Sequence, residues 1–271
     1  MVISTFLNHI IDNKHRAAGT IPECAKFCLE HGITGIDAMI FPHNTDSIDE
    51  VRILEREGMH LNSLPVHWDI LHGANMATGC HIVDTASRLG APNILLIPGL
   101  FRPEDDRAAL MERSLEPLAD FCRRATERGI TVGMEDFDTA TSPVVSTEGL
   151  LYYLTHIPEL ACTFDTGNAL FNDEDALEAF HTLRPYIRTQ IHCKDRRWVA
   201  KRPDEPYLTT TGGNKLYGEM VGRGIVPIAE ILRELRDSGF EGSATLEQFG
   251  AAEPLPYLAE AAKFALGALA E

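Results

Sequence analysis

Short strand-like runs alternate with amphipathic helical patterns along the chain, and glycine marks most of the junctions between them. Five predicted helices end at such a glycine, namely Gly32, Gly58, Gly90, Gly129 and Gly239. Glycine is favoured there because the residue after a helix often adopts a left-handed conformation. A recurring junction of helix, glycine and strand is what a βα repeat requires, so the sequence predicts an α/β fold.

The periodicity of apolar residues predicts eight strands and eight helices. The predicted strands are Val2–Leu7, Gly35–Ile40, Met59–Pro65, Asn93–Pro98, Ile130–Glu135, Ala161–Asp165, Ile187–Cys193 and Ser243–Gln248. The predicted helices are Thr20–Glu30, Ser47–Glu57, Thr78–Leu89, Pro103–Arg128, Ser146–His156, Glu174–Leu183, Pro227–Ser238 and Pro254–Leu269. Thr20 and Ser146 have the residue type and position of N-terminal caps.

Eight βα units in a chain of 271 residues match the size of a TIM barrel, which is typically about 250 residues long. The alternative, an open doubly wound sheet, usually has a glycine-rich phosphate loop after its first strand. Here the first strand is followed by Asn8-His9-Ile10-Ile11-Asp12, which contains no glycine. No low-complexity linker divides the chain. We therefore predict a single-domain (β/α)8 TIM barrel that spans residues 1–271.

The charge of the chain argues against nucleic acid as its ligand. There are 40 acidic and 24 basic residues, which give a formal net charge of −16, whereas phosphate backbones are bound by basic stripes. The first residues lack a basic leader, and no apolar run is long enough to span a membrane. The six cysteines include no Cys-x-x-Cys pair. We therefore expect a cytoplasmic protein with free thiols and no nucleic-acid or membrane partner.

Four predicted strands end in an ionisable side chain: Glu135, Asp165, His192 and Glu247 end the fifth to the eighth strand. Such groups are costly to bury at the end of an apolar strand unless something pairs with them. In a closed barrel these strand ends converge, so one bound cation could satisfy all four. Three carboxylates and one imidazole suit Mn²⁺ or Mg²⁺ and tolerate Zn²⁺ or Co²⁺. A lone acidic residue at a strand end is more often a helix cap or the partner of an arginine, so the prediction depends on the four together.

Several strings resemble the signature of the xylose-isomerase-like TIM-barrel superfamily of sugar phosphate isomerases and epimerases, in strand order along nearly the whole chain. They are Glu135-Asp136-Phe137, Phe164-Asp165-Thr166-Gly167-Asn168, Ile191-His192-Cys193-Lys194-Asp195, Gly222-Arg223-Gly224-Ile225-Val226-Pro227-Ile228 and Leu246-Glu247. The resemblance implies that Glu135, Asp165, His192 and Glu247 bind the metal. It also implies that Glu135 and Glu247 are the catalytic acid–base pair.

Two departures from the superfamily pattern bear on the activity. Many members have a histidine where this chain has Asn168, and an amide cannot take up a proton near neutral pH. The nuclease branch of the superfamily has an Asp-x-His motif where this chain has Gly222-Arg223-Gly224. The nuclease activity of that branch is therefore disfavoured.

The site residues and the resemblance predict a metal-dependent isomerase or epimerase of a small sugar, a sugar phosphate or a related polyol. Its first step would be proton abstraction next to a carbonyl, giving a metal-stabilised enediolate. Two alternatives remain open. One is a metal-dependent dehydratase of a keto-inositol or dehydroshikimate type of substrate, which shares this first step. The other is a non-catalytic sugar-binding barrel.

Four further residues are predicted to bind the carbohydrate substrate: His67, Asn168, Lys194 and Arg223. Each has a structural alternative; His67 could pack beside Trp68, for example. The polar stretch from Arg196 to Val226 is predicted to be a long loop that covers the barrel mouth, since loops of that length are usually functional or disordered. Barrels of this superfamily often form homodimers, although no feature of the sequence locates an interface.

Overall fold

Eight parallel strands close into a barrel in the computed structural model, which describes residues 1–10, 19–40, 45–73, 75–248 and 253–271, with the backbone alone at residues 45–47. The barrel strands are β1 (Val2–Phe6), β2 (Gly35–Asp37), β3 (His60–His67), β4 (Asn93–Ile97), β5 (Thr131–Met134), β6 (Ala161–Asp165), β7 (Ile187–Cys193) and β11 (Ser243–Leu246). Three further strands lie outside the barrel: β8 (Asp195–Arg197), β9 (Leu208–Thr209) and β10 (Lys215–Glu219). The barrel order is β1-β11-β7-β6-β5-β4-β3-β2, and β2 closes onto β1. The predicted single-domain TIM barrel is confirmed.

The helices lie between the strands along the chain, as a βα repeat requires. They are Ile21–Glu30, Thr45–Arg56, Met76–Leu89, Arg107–Thr126, Thr147–His156, Ala176–Leu183, Ile228–Asp237 and Pro254–Ala270. Thr20 and Ser146 cap their helices as predicted. Thr20 forms a reciprocal capping box with Glu23, and the Ser146 hydroxyl accepts a hydrogen bond from Gly149 N at 3.1 Å. The helix predicted from Pro103 begins at Arg107, because Asp106 caps it by accepting from Ala109 N at 3.2 Å.

Each helix packs an apolar stripe against the outside of the barrel. In Ile228–Asp237 the buried residues are Ile228, Ile231, Leu232 and Leu235, which are spaced so that they lie on one face of the helix. They belong to one large cluster that also contains the buried side chains of the barrel strands. The burial of this layer holds the strand ends in fixed relative positions, and those ends carry the site.

The segment after β7 is not the irregular loop that the sequence predicted. β8, β9 and β10 form a three-stranded antiparallel sheet in the order β8-β10-β9. The carboxylate of Asp195 holds the segment that follows β10. It accepts hydrogen bonds from the backbone N–H groups of Gly222 at 2.9 Å, Gly224 at 2.8 Å and Val226 at 3.2 Å. These strands are short and polar, so they lack the apolar alternation by which strands are recognised.

Among the described residues, no helix combines the length and the apolar character that crossing a lipid bilayer demands. This finding is in line with the absence of a long apolar run in the sequence.

All six cysteines are free thiols, and all except Cys80, which is half-buried, are buried. Burial raises the pKa of Cys28 and of Cys193 to about 12, and a thiol reacts through its thiolate. We therefore predict that the native protein reacts rapidly with a disulfide reagent at mildly alkaline pH at Cys80 alone, and that Cys80→Ser removes this reaction. The measurement is thiol counting in native buffer and in denaturant. Rapid reaction at a second thiol in the native protein would contradict the burial described here.

Candidate metal centre

The four predicted ligands come from neighbouring strands at the carboxyl end of the barrel. Asp165 is the last residue of β6, and it is directly paired in register with His192 on β7. Glu135 follows β5 and Glu247 follows β11, which are the strands beside β6 and β7. The backbone N–H of Glu247 donates to the carbonyl of Cys193 at 3.0 Å, which extends this pairing beyond the end of the strand. The barrel therefore brings the four side chains together.

The four side chains form one buried cluster. His192 Nδ1 lies 2.9 Å from Glu135 Oε2 and 3.5 Å from Glu247 Oε2. One ligand atom each from Glu135, Asp165 and His192 lie within 4.8 Å of one another, a spacing compatible with a shared ion. Asp165 and His192 are fully buried, while Glu135 and Glu247 are 8% and 6% exposed.

Three polar atoms in this cluster, Glu135 Oε2, Asp165 Oδ2 and His192 Nδ1, have ion-pair neighbours but no contact with the geometry of a hydrogen bond. Buried polar atoms are normally satisfied because leaving them unpaired costs about 1–3 kcal/mol each. Here two carboxylate oxygens and one imidazole nitrogen converge, which is a donor set suited to a divalent cation. The residues therefore fit a metal ion.

Lys194 lies among these carboxylates. Its Nζ is 2.7 Å from Glu247 Oε1 and 3.2 Å from Asp165 Oδ2. With the carboxylates of Glu135, Asp165 and Glu247 ionised and His192 neutral, as a metal-binding imidazole must be, the ammonium group of Lys194 leaves a net charge of about −2. A single divalent cation would neutralise that charge.

The pKa values reflect this crowding of charge. Burial opposes ionisation of Glu247, but Lys194 and His192 outweigh it and hold the pKa of Glu247 well below its usual range. Burial raises the pKa of Asp165 to about 7 against the opposing effect of Lys194. Burial also disfavours the charged form of His192, but the carboxylate of Glu135 and its neighbours raise the pKa of this ring well above its usual range.

Asn168 orients Lys194 within the cluster. Its side-chain oxygen accepts a hydrogen bond from Lys194 Nζ at 3.0 Å, and its side-chain nitrogen donates to the carbonyl of Asp136 at 2.7 Å. Its backbone N–H donates to Asp165 Oδ1 at 2.9 Å. Asn168 is 2% exposed, and its amide is engaged within the protein. Its predicted contact with substrate remains a prediction.

A cavity of about 800 Å³ opens above the cluster. The barrel contributes one wall, which includes Phe6, Pro65, His67, Leu95, Glu135, Lys194 and Glu247. The segment that carries β8, β9 and β10 contributes the opposite wall, which includes Arg197, Lys201, Arg202, Pro206, Leu208 and Glu219. Glu135 and Glu247 line this cavity, whereas the fully buried Asp165 and His192 are absent from its lining. The two glutamates are thus the cluster carboxylates that a cavity-bound molecule would meet.

Two other predicted substrate residues, His67 and Arg223, also line the cavity. His67 is the last residue of β3. The guanidinium of Arg223 forms an ion pair with Glu260. The glycines on either side of Arg223 bring the backbone close to Asp195, because the N–H groups of Gly222 and Gly224 donate to its carboxylate.

Asp37 is a residue of the site that the sequence analysis missed. It is the last residue of β2 and fully buried, and its Oδ2 lies 3.7 Å from Nε2 of His192. The predicted strand ran on to Ile40, so Asp37 was not recognised as a strand end. With the correct boundary, the rule that identified the four ligands would also have identified Asp37.

Comparisons with known proteins agree with the barrel fold. The model of the protein family described as "Xylose isomerase-like TIM barrel" matches residues 25–266. A search of curated proteins finds no significant match.

Three solved structures illustrate the shared fold. The probable 3-DHS dehydratase AsbF of Bacillus anthracis is 18% identical, with a TM-score of 0.72, over 97% of this chain and 98% of that one. A xylose isomerase-like TIM barrel protein of Mycobacterium smegmatis in complex with magnesium is 18% identical, with a TM-score of 0.72, over 99% and 96%. The D-psicose 3-epimerase of Clostridium cellulolyticum H10, solved with D-tagatose, is 14% identical, with a TM-score of 0.71, over 100% and 98%. At these identities the similarity shows the fold alone.

The cluster predicts a metal-dependent gain in stability that depends on Asp165. An ion present at about 100 times its Kd should stabilise the native state by about 2.7 kcal/mol, which raises Tm by several degrees. We expect Mn²⁺ to produce this shift in the wild type. Asp165→Asn should lose most of the shift, because the substitution removes a charged ligand oxygen while keeping the shape of the side chain. Thermal unfolding with and without Mn²⁺ is the measurement.

Asp49→Asn is the matched control, since Asp49 is an exposed carboxylate on the helix Thr45–Arg56. The Mn²⁺-dependent increase in its Tm should equal that of the wild type. If Asp165→Asn also shows the wild-type increase, the ion binds elsewhere.

Proposed function

The chain belongs to the xylose isomerase-like TIM barrel family, and on that premise we propose that it is a metal-dependent isomerase or epimerase of a small sugar, sugar phosphate or related polyol. The observation that carries this proposal is the arrangement of Glu135 and Glu247. Both line the cavity of about 800 Å³, and both contact the same imidazole, that of His192. Two carboxylates at the floor of one cavity are the groups required to remove a proton and to return it.

The four ligands divide into two pairs. Asp165 and His192 are fully buried beneath the cavity floor, so their role is to hold the ion. Glu135 and Glu247 reach the cavity, so they can contact the substrate as well. A divalent ion held here would supply positive charge to stabilise the negative charge that develops on a substrate carbonyl oxygen.

Proton transfer needs one glutamate that is ionised and correctly oriented. Lys194 Nζ, 2.7 Å from Glu247 Oε1, fixes that carboxylate and favours its ionised form. We propose that Glu247 takes the proton from the carbon next to the carbonyl. For the return step Glu135 must carry a proton, which it then donates. If it does so on the opposite face of the same carbon, the product is the epimer; at the adjacent carbon it is the aldose–ketose isomer.

The names of similar structures are consistent with this chemistry. They include an epimerase solved with a ketose, a probable dehydratase, and a barrel in complex with magnesium. The donor set suits Mn²⁺ or Mg²⁺ best and also accommodates Zn²⁺ or Co²⁺. Loss of a β-hydroxyl after the first proton transfer would give a dehydratase, which starts from the same step.

We predict that the Mn²⁺-loaded protein exchanges the proton next to the carbonyl of a suitable ketose for deuterium in heavy water. Glu247→Gln should slow this exchange by about 10²–10⁴-fold, because an amide cannot accept the proton. Glu230→Gln is the matched control, since Glu230 is an exposed residue of the helix Ile228–Asp237. Exchange is measured by mass spectrometry and NMR over a panel of ketoses and their phosphates.

The outcomes separate the candidate reactions. Deuterium in an epimer or an isomer supports the proposal, whereas a new enone absorbance indicates the dehydratase. Retained metal without exchange for any member of the panel would support the non-catalytic alternative. Exchange by Glu247→Gln at the wild-type rate would refute the role of Glu247.

A further inference from the structure

A group of polar side chains occupies the barrel interior beneath the metal centre. Its members come from five strands, β1, β2, β3, β7 and β11, and they are Ser4, Asp37, Asn62, Gln190 and Thr245. Barrel interiors are usually filled by branched apolar side chains. A polar layer at this depth therefore calls for an explanation.

Asp37 is the centre of this group. Its Oδ1 accepts hydrogen bonds from Ser4 Oγ at 3.2 Å and from Asn62 Nδ2 at 2.7 Å. Its Oδ2 accepts from Thr245 Oγ1 at 2.7 Å and from Gln190 Nε2. Four donors therefore surround this fully buried carboxylate. Because a well-packed apolar layer would usually be at least as stable, packing alone does not account for Asp37.

His192 lies between this group and the predicted metal ligands. Its Nδ1 faces Glu135 and Glu247, and its Nε2 faces Asp37 Oδ2 at 3.7 Å. A neutral imidazole carries its proton on one nitrogen and a lone pair on the other. If Nδ1 is to bind a cation, the proton must be on Nε2, and there it needs an acceptor.

The surroundings of Nε2 identify that acceptor. The nearest group is Gln190 Nε2 at 3.1 Å, but this amide nitrogen donates to Asp37 and to Thr245 and has no lone pair to offer. Among the contacts recorded for Nε2, Asp37 Oδ2 is the group that can accept a proton. The present 3.7 Å is longer than a hydrogen bond, so the proposed bond requires Nε2 and Oδ2 to approach each other by about 0.7 Å.

We propose that Asp37 is a positioning residue for the metal centre. It accepts the Nε2–H of His192, and in doing so it keeps the lone pair of Nδ1 directed at the cation. Gln190 and Thr245 hold the Asp37 carboxylate in place for this task. The inference rests on the metal-binding part of the proposed function. It follows the general rule that the free N–H of a ligating histidine is held by a second group.

The first test is metal affinity. Asp37→Asn places an amide beside Nε2 and should weaken Zn²⁺ binding by about 10–100-fold, measured by competition titration. Ser4→Ala is the matched control, since it removes an equally buried hydrogen bond to the other oxygen of the same carboxylate, away from His192. It should keep the wild-type affinity. Equal affinities of Asp37→Asn and Ser4→Ala, with both folded by circular dichroism, would overturn the proposal.

The second test needs no Asp37 variant and therefore does not depend on whether Asp37→Asn folds. Zn²⁺ is diamagnetic, so ¹⁵N-edited NMR of the imidazoles can be recorded on the zinc-loaded wild type, with His192→Gln to assign the signal. We expect the proton of His192 on Nε2 and the metal on Nδ1. A proton on Nδ1 would overturn the proposal.

The two proposals fail in different ways. A wild type that binds no divalent ion would remove the basis of both. A wild type that binds zinc while Asp37→Asn binds it equally well would remove the role of Asp37 and leave the proposed function intact. Zinc binding that depends on Asp37, without deuterium exchange for any ketose, would leave the role of Asp37 intact and remove the proposed function.

Discussion

Uncompensated negative charge at one end of the barrel is the constraint on which the rest of the site depends. The carboxylates of Glu135, Asp165 and Glu247 approach one another in a largely buried cluster, and the ammonium group of Lys194 lies among them. Such an arrangement is costly unless a cation joins it. Much of the surrounding structure is arranged to maintain it. Asn168 holds Lys194, the backbone N–H groups after β6 hold Asp165, and Asp37 Oδ2 lies 3.7 Å from Nε2 of His192.

The register of the strands determines where these charged side chains lie. Because Asp165 pairs directly with His192 across β6 and β7, these two ligands lie side by side on the lower level of the site. Glu135 and Glu247 follow the ends of their strands, so they lie one level higher and reach the cavity. The division between the two fully buried side chains and the two glutamates that line the cavity therefore arises from where each strand ends.

The fold and the convergence of Glu135, Asp165, His192 and Glu247 could be predicted from the sequence, because both depend on local patterns: apolar periodicity, glycine after helices, and ionisable residues at strand ends. Asp37 was missed because the apolar run from Ala38 to Ile40 hid the end of β2. The sheet of β8, β9 and β10 was missed because its strands are short and polar. The contact of the glycines beside Arg223 with Asp195 was also missed, because Asp195 is 27 residues distant from Gly222 along the chain. A local pattern cannot reveal a contact of that range.

The two walls of the cavity come from different parts of the chain, so the side chains of one wall can change without changes in the other. The charged floor is built from strand ends that the whole barrel holds in place, whereas the opposite wall comes from one continuous stretch of chain between β7 and the helix Ile228–Asp237. That stretch is fastened at its base through Asp195. If the proposed function is correct, exchanging the side chains of this stretch would change which substrate is bound and leave the charged floor undisturbed. This stretch is therefore the natural place to engineer new substrate ranges.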